Sequence, residues 1–449
     1  MERLAPQLAN KINSRIIHPV IIETEANRFS EIFEELKPFA YTVNNIVDRF
    51  SPAEPQFYFL NLMDIPMFNM IACVLPREVI EDYAEDKRVA KIYPDNIMWA
   101  LQYPTVTEEG VYKTIRGREK KEIQFTSTAW TKRLIGADKA NSKGFTGKGV
   151  KVAVLDTGSS ATHPQLRGKL LIPHRSPYPL PTLEKNGHGT WVASCVAGRQ
   201  FVDDVLSRAS GKVVICEGMA PDATVIPIKV LDFVVGMGST SAIIKGVEIA
   251  LKEGAGVLNL SLGGPEDAQK ETDDPQFKAF EKAKEYNVIS CVAAGNDGPK
   301  PGTVGSPGAL SNVLTVGAYD PITGEVAEYS SRGPVPWGSI KPDCIAPGGG
   351  APQNGIDSAI DGTLDMAGDN IKNRFSPIQG TSMSTPHVSG VVALMREAHA
   401  KLLGKILTLE EVLRMLESLG HSKSNDDGYG LISWDMYCNW MSTEYGIEL

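Results

Sequence analysis

The chain lacks any run of 18 apolar residues, so no α-helical membrane span is expected. It also lacks a surplus of basic residues: 45 Lys and Arg stand against 54 Asp and Glu, a net charge of −9. That balance argues against a nucleic-acid footprint and fits a soluble monomer or small oligomer. The first residues, Met-Glu-Arg-Leu-Ala-Pro-Gln-Leu-Ala-Asn, contain no continuous apolar core of the kind a secretory leader needs. As written the chain would stay in the cytoplasm; a leader already removed, or another export route, would place it outside the cell. None of the six cysteines (Cys73, Cys195, Cys216, Cys291, Cys344 and Cys438) forms a CxxC pair, so no metal-site spacing is present. Cys195 and Cys291 stand inside apolar runs, where a buried free thiol is expected. What is present is a globular composition, 42% hydrophobic and 22% charged over 449 residues, enough for two or three domains.

One string organises the chain: Gly380-Thr-Ser-Met-Ser-Thr-Pro-His-Val-Ser-Gly390. It runs into Val388, Val391, Val392 and Met395 at helical spacing. Pro386 is expected in the first helical turn, where a missing N–H is tolerated. Ser382 would then sit at a helix start, beside unpaired backbone N–H groups that favour negative charge. A hydroxyl so placed can attack a carbonyl and find donors for the resulting oxyanion. Taken alone, the string also reads as an ordinary Ser/Thr-rich helix cap.

Two further strings supply partners. Gly149-Val-Lys-Val-Ala-Val-Leu-Asp156-Thr-Gly158 reads as a buried parallel strand presenting Asp156 at its C-terminal end, the edge where open α/β sheets carry their sites. Asn186-Gly-His188-Gly-Thr-Trp-Val-Ala places a glycine-flanked histidine at the start of an apolar helix. Histidine, with an unperturbed pKa of about 6.5, suits proton transfer near neutrality. The order Asp156, His188, Ser382 is the subtilisin order, not that of chymotrypsin or the α/β-hydrolases.

On these three motifs residues 125–435 resemble the subtilisin-like serine proteases. The resemblance implies an Asp156–His188–Ser382 triad that hydrolyses peptide bonds through an acyl-enzyme. It extends to Val292-Ala-Ala-Gly-Asn296, which implies Asn296 as the oxyanion-hole amide, and to Gly256-Val-Leu-Asn-Leu-Ser-Leu-Gly-Gly264 beside the specificity pocket. Peptide and protein substrates would pair as an added strand, with Ser261, Leu262, Gly263 and Gly264 on one side and Gly236 and Gly238 on the other. The small residues Gly263, Gly264 and Gly305 leave room for a large apolar P1 side chain, and Asp297 would tolerate a basic one at the rim. Two departures from the family pattern stand out. Trp191 occupies the place of a second histidine, outside the proton relay. His163-Pro-Gln165-Leu carries glutamine where many members have a calcium-binding aspartate. A neutral amide is a weaker ligand for a hard cation, so no cofactor is required and the usual strong calcium site is not expected. Asp203-Asp204 and Asp273-Asp274 read as solvated acidic loops, at most weak calcium sites.

The first hundred residues suggest β-α-β-β-α-β, a small ferredoxin-like α+β unit. Strands are expected at 15–24 (Pro19 marking an edge or bulge), 57–62, 70–75 and 88–93, with helices from Phe29 and from Pro76. Leu75-Pro-Arg-Glu-Val-Ile and Asp86-Lys-Arg-Val-Ala-Lys-Ile-Tyr93 resemble the second half of a subtilisin propeptide. That resemblance implies a zymogen whose own residues 1–101 act as an intramolecular inhibitor, with the tail Asn96–Leu101 in the cleft. Residues 102–124, carrying Lys113, Arg116, Arg118, Lys120 and Lys121, read as a basic linker, and self-cleavage would fall after Leu101 or before Phe125. Residues 125–449 would form the catalytic domain, a three-layer α/β fold with a mostly parallel central sheet. Strands are expected near 149–155, 224–231, 256–262, 287–293 and 312–317, and helices after His188, near 240–252 and 275–286, from Ser382 to about 402 and at 408–418. Two other readings share the motifs: a subtilase-fold acyl transferase or ligase, and a catalytically silent peptide-binding protein.

Overall fold

The computed structural model describes residues 3–11, 17–37, 62–100, 126–171, 175–177, 184, 186–231, 236–350, 355–360 and 374–449. Its centre is a six-stranded, wholly parallel sheet. The order across the sheet is Thr224–Lys229, Lys151–Asp156, Val257–Leu260, Ile289–Ala293, Leu314–Tyr319 and Cys344–Pro347. The strands read as short apolar runs because both faces are covered. Val152 and Val154 face one core, with the helices His188–Ala197, Thr381–Leu403 and Leu409–Leu419. Ala153 and Leu155, one residue out of phase, face a second core with Thr240–Lys252 and Phe277–Glu285. Three layers result. From Lys151–Asp156 the chain passes to one neighbouring strand and later returns to the other. The carboxyl ends of Lys151–Asp156 and Val257–Leu260 therefore flank a topological switch point, where α/β sheets open a crevice.

Several elements go beyond the expected set, two of them in the central layers. Cys344–Pro347 adds an edge strand; four residues ending in proline carry too little period to announce it. Trp434–Tyr445 adds a C-terminal helix, capped by Ser433 and burying Trp434, Tyr437, Trp440 and Met441 in the first core. No helix among the described residues is long and apolar enough to cross a membrane. All six cysteines are free, and all but Cys438 are buried.

The N-terminal residues form an antiparallel sheet in the order Leu62–Ile65, Met70–Pro76, Ile17–Thr24, Val89–Pro94. Residues 57–61 of the second expected strand, and the expected linker, lie outside the described residues. Val20, Ile22, Ile71 and Cys73 pack under the helices 29–37 and Arg77–Glu85. Ile21, Met70, Ala72 and Tyr93 point the other way and join the core of Ile243, Val247 and Phe280. This sheet is therefore buried on both faces, the second against the central domain. Pro19 sits not on an edge strand but in a central one. Pairing with Val89–Pro94 starts only at Val20, and the Pro19 carbonyl accepts the Asp95 N–H at 3.1 Å, so its missing N–H lies where the ladder has ended. Polar contacts seal the junction: Tyr93 donates to Glu23 (2.8 Å), Glu23 pairs with Lys278, and Lys91 pairs with Asp273. Asp95 accepts both the backbone N–H (2.9 Å) and hydroxyl (2.6 Å) of Ser241 at the head of Thr240–Lys252. A carboxyl there complements the positive end of the helix.

Candidate active site

Asp156 ends the strand Lys151–Asp156 and is fully buried. Its Oδ1 accepts the Thr157 N–H at 2.7 Å and lies 2.7 Å from His188 Nδ1. His188 opens its helix behind Gly187, whose φ of 95° favours glycine, and its backbone N–H donates to Asn186 Oδ1 at 3.2 Å. The far ring nitrogen, Nε2, is buried with no hydrogen-bond partner among the described residues. With Nδ1 held on a carboxylate, Nε2 is the atom left to exchange a proton.

Ser382 is the second residue of Thr381–Leu403, preceded by Gly380. Its hydroxyl donates to the Ser261 carbonyl (2.8 Å), and the Ser261 hydroxyl donates back to the Ser382 carbonyl (2.8 Å). The second bond has its origin in Pro386. Because the helix starts at Thr381, Pro386 lies inside it, in the second turn and not the expected first. Having no N–H, it cannot bond the carbonyl four residues back, which belongs to Ser382. That carbonyl is left for Ser261. Asn259 in turn donates to the Ser261 hydroxyl (3.0 Å) and accepts from Ser389 (2.9 Å). Tyr329, in the Tyr-Ser-Ser-Arg-Gly-Pro string, takes the Gly380 N–H at 3.1 Å and so steadies the turn ahead of the helix that bears Ser382.

Asn296 follows the strand Ile289–Ala293. Its Oδ1 accepts both the N–H and the hydroxyl of Thr381, each at 2.9 Å. Both bonds use the oxygen end, which sets the orientation of the amide beside the start of the Ser382 helix.

The cleft in front of these residues holds part of the chain itself. Ile97–Ala100 lies antiparallel between Met237–Ser239 and Leu262–Gly263, with Gly238 opposite Met98, Leu262 opposite Ala100 and Gly263 opposite Trp99. The Ala100 N–H donates to the Gly236 carbonyl at 3.0 Å. Met98 is buried, whereas Trp99 is 38% exposed. Beside Trp99 a narrow cleft is lined by Gly263, Gly264, Ala293, Asp297 and Gly305. Gly305 leaves no space for a side chain: a Cβ there would stand 2.3 Å from the Gly264 carbonyl. Leu101, the last residue of the expected tail, lies outside the described residues.

Residues 147–430 match the family model described as the subtilase family. The chain is 33% identical over 346 residues to serine protease AprX of Bacillus subtilis (strain 168), covering 71% of each chain. It is 29% identical over 368 residues to subtilisin E of the same organism, covering 81% of this chain and 78% of that one. To the intracellular serine protease of Paenibacillus polymyxa it is 31% identical over 278 residues, with 60% of this chain and 73% of the other covered. The chain belongs to the subtilase family. It is a serine endopeptidase.

Two departures of this subtilase from the family pattern find their physical setting. Trp191 is fully buried, and its indole N–H bridges the carbonyls of Ile356 and Ser376 (3.2 Å each), away from the Asp156–His188 pair. Gln165 is also fully buried, and its side-chain oxygen and nitrogen have no hydrogen-bond partner among the described residues. Neither acidic pair is a solvated loop. Asp203 caps Asp204–Ser210, accepting from Val205 (2.9 Å) and Leu206 (3.0 Å). Asp274 is buried and bonds Ser306 (2.5 Å) and the Gln276 N–H (2.7 Å). Isolated Asp-Asp dipeptides give no sign of such partners. Among the described residues, no three His, Cys, Asp or Glu side chains converge as a metal-binding group.

Sequence reasoning passed over Thr381, Thr157 and Glu184. Thr381 stood in the Gly-Thr-Ser string and invited notice; Glu184 lies four residues before His188 with no motif of its own.

Proposed function

We propose that peptide hydrolysis by this subtilase runs through an acyl-enzyme on Ser382, with His188 as general base and acid, Asp156 as its orienting carboxylate and Asn296 as oxyanion donor. The observation that carries the reading is the buried Asp156–His188 contact of 2.7 Å, which leaves Nε2 without a partner among the described residues, together with Ser382 at a helix start. With Ile97–Ala100 in the cleft, the Ser382 hydroxyl rests on the Ser261 carbonyl. A peptide continuing the ladder past Leu262 would bring its next backbone N–H to that same carbonyl and displace the hydroxyl, which turns to His188 Nε2. Oγ then bonds to the scissile carbonyl carbon as its proton passes to Nε2. Collapse of the tetrahedral intermediate breaks the C–N bond, and the amine leaves with that proton; water repeats the sequence to free the acid. Asp156 holds Nδ1–H and stabilises the imidazolium throughout.

The proposal includes self-inhibition. Ile97–Ala100 occupies the strand position a substrate needs, so residues 1–101 would act as an intramolecular inhibitor, with cleavage after Leu101 setting the tail free. Gly263 and Gly264 along the cleft support an apolar P1 side chain, whereas Gly305 is small because the Gly264 carbonyl stands against it. Asp297, exposed at the rim, supports some acceptance of Lys or Arg. Asp297→Ala should lower kcat/KM on a Lys P1 substrate about two- to fivefold, the scale of an exposed ion pair, and leave Phe P1 unchanged. Equal effects on both would remove the basic component. No metal enters the scheme, since Gln165 offers a hard cation only a neutral oxygen.

A peptidyl phosphonate tests the central assignment. It should add once to the processed chain, and peptide mass mapping should place the adduct on Ser382. Adduct formation elsewhere would assign the reaction to another nucleophile.

A further inference from the structure

Behind the Asp156–His188 pair lies a buried carboxyl that takes no part in the steps above. We infer that Glu184 is a positioning residue that holds the His188 imidazole against Asp156, an assignment that rests on the catalytic reading just proposed. The helix bearing His188 begins with unpaired N–H groups, and Gly187 has no side chain to cap them. Glu184 Oε1 accepts the Gly187 N–H at 2.7 Å, supplying the cap from outside the helix. Its other oxygen accepts the Thr157 hydroxyl at 2.8 Å. Thr157 Oγ1 accepts the Gly189 N–H at 3.0 Å, and the Thr157 backbone N–H donates to Asp156 Oδ1 at 2.7 Å, the oxygen that contacts His188.

One carboxyl thus grips His188 from both sides, directly at Gly187 and through Thr157 at Gly189, and the same threonine steadies Asp156. The two backbones lie in close approach, which glycine alone permits, since a Cβ on Gly189 would stand 1.9 Å from the Gly158 carbonyl. A shift of about 1 Å in reacting groups costs on the order of a hundredfold in rate, so loss of this brace should be read in kcat.

The brace also carries a charge that titrates. Burial pushes Glu184 up to about 8, against the hydrogen bonds from Gly187 and Thr157, with the Asp156 charge raising it further and Lys229 lowering it. Among the described residues, Asp156 and Lys229 are the charged groups that act on it, and Gly187 and Thr157 are its donors. As pH rises through that value, Glu184 gains a negative charge near the imidazole and stabilises the imidazolium formed in the reaction. The expected pH profile of kcat therefore has a rise near 8 that depends on Glu184.

The experiment compares processed wild type with Glu184→Ala and Glu184→Gln on one peptide substrate. Glu184→Ala should lose about a hundredfold in kcat with KM within about threefold. Glu184→Gln, which keeps an acceptor for Gly187, should retain kcat within about tenfold near pH 6.5 and lack the rise near 8. Wild-type kcat in Glu184→Ala, or a rise near 8 surviving in Glu184→Gln, overturns the assignment. If the alanine variant does not fold, the glutamine pH profile decides alone. Failure of the catalytic reading itself looks different: Ser382→Ala would still hydrolyse the substrate.

Discussion

Ser382→Ala should remain whole at 48.7 kDa on incubation at neutral pH, while the wild-type chain sheds its first hundred or so residues. The expectation follows from register. Leu262 faces Ala100 and Gly263 faces Trp99. The next residue of a strand continuing that way meets Ser261, whose carbonyl holds the Ser382 hydroxyl at 2.8 Å. The bond following that residue would then come to Ser382, so the cut is expected at Leu101–Gln102. Buried Met98 and the Ala100–Gly236 bond hold the tail in this register before cleavage. Without Oγ nothing attacks, and loss of serine or histidine from a subtilisin lowers kcat by about 2 × 10⁶. Intact mass resolves the alternatives. A wild-type cut before Phe125 would move the site into the basic segment. Two unprocessed chains would mean that residues 1–101 are not removed by the enzyme itself, and an alanine variant cut after Leu101 would mean that another protease removes them.

Asn296→Ala should lower kcat by about 10²–10³, the loss a subtilisin suffers when its oxyanion asparagine is removed, with KM changed little. The argument lies in how the amide is held. Thr381 donates twice to Oδ1, from its backbone and from its hydroxyl, so the NH₂ end is fixed before any substrate arrives and needs no reorganisation as charge develops. The Ser382 N–H, second in its helix, is the partner donor expected on the other side of the oxyanion. The variant leaves the Thr381 N–H without its acceptor, so a thermal melt accompanies the kinetics. A stable variant with kcat within threefold of wild type would remove Asn296 from the oxyanion hole.

Much of this site is legible in single stretches of chain, and the reason is local. Asp156 terminates a short, valine-rich apolar run, His188 stands between two glycines ahead of an apolar helix, and Ser382 follows Gly380 at a helix start. Each motif needs only its own neighbours to take shape. Five of the six strands of the parallel sheet are legible for the same reason, since a strand covered on both faces must be apolar along its length. Legibility ends where the stabilising partner is remote. Pro386 was expected in the first helical turn because proline is common there; the helix starts earlier, and the carbonyl that Pro386 leaves unbonded is taken by Ser261, 121 residues away in sequence. Pro19 was expected at an edge, yet its strand is central, and only the stagger of Val89–Pro94 makes it tolerable.

The sequence by itself determined the family, the layered α/β class, the order of Asp156, His188 and Ser382, and a βαββαβ unit ahead of them. These depend on period, turn residues and short motifs, which are properties of neighbouring residues. Tertiary structure alone decided that Ile97–Ala100 lies between Met237–Ser239 and Leu262–Gly263, that Asp274 bonds Ser306 inside the fold, and that Glu184 accepts from the Thr157 hydroxyl. Each of these is a hydrogen-bond or burial requirement met by a group distant in the chain or hidden in a loop. Such requirements leave no periodic trace, because they are satisfied only once the layers have packed.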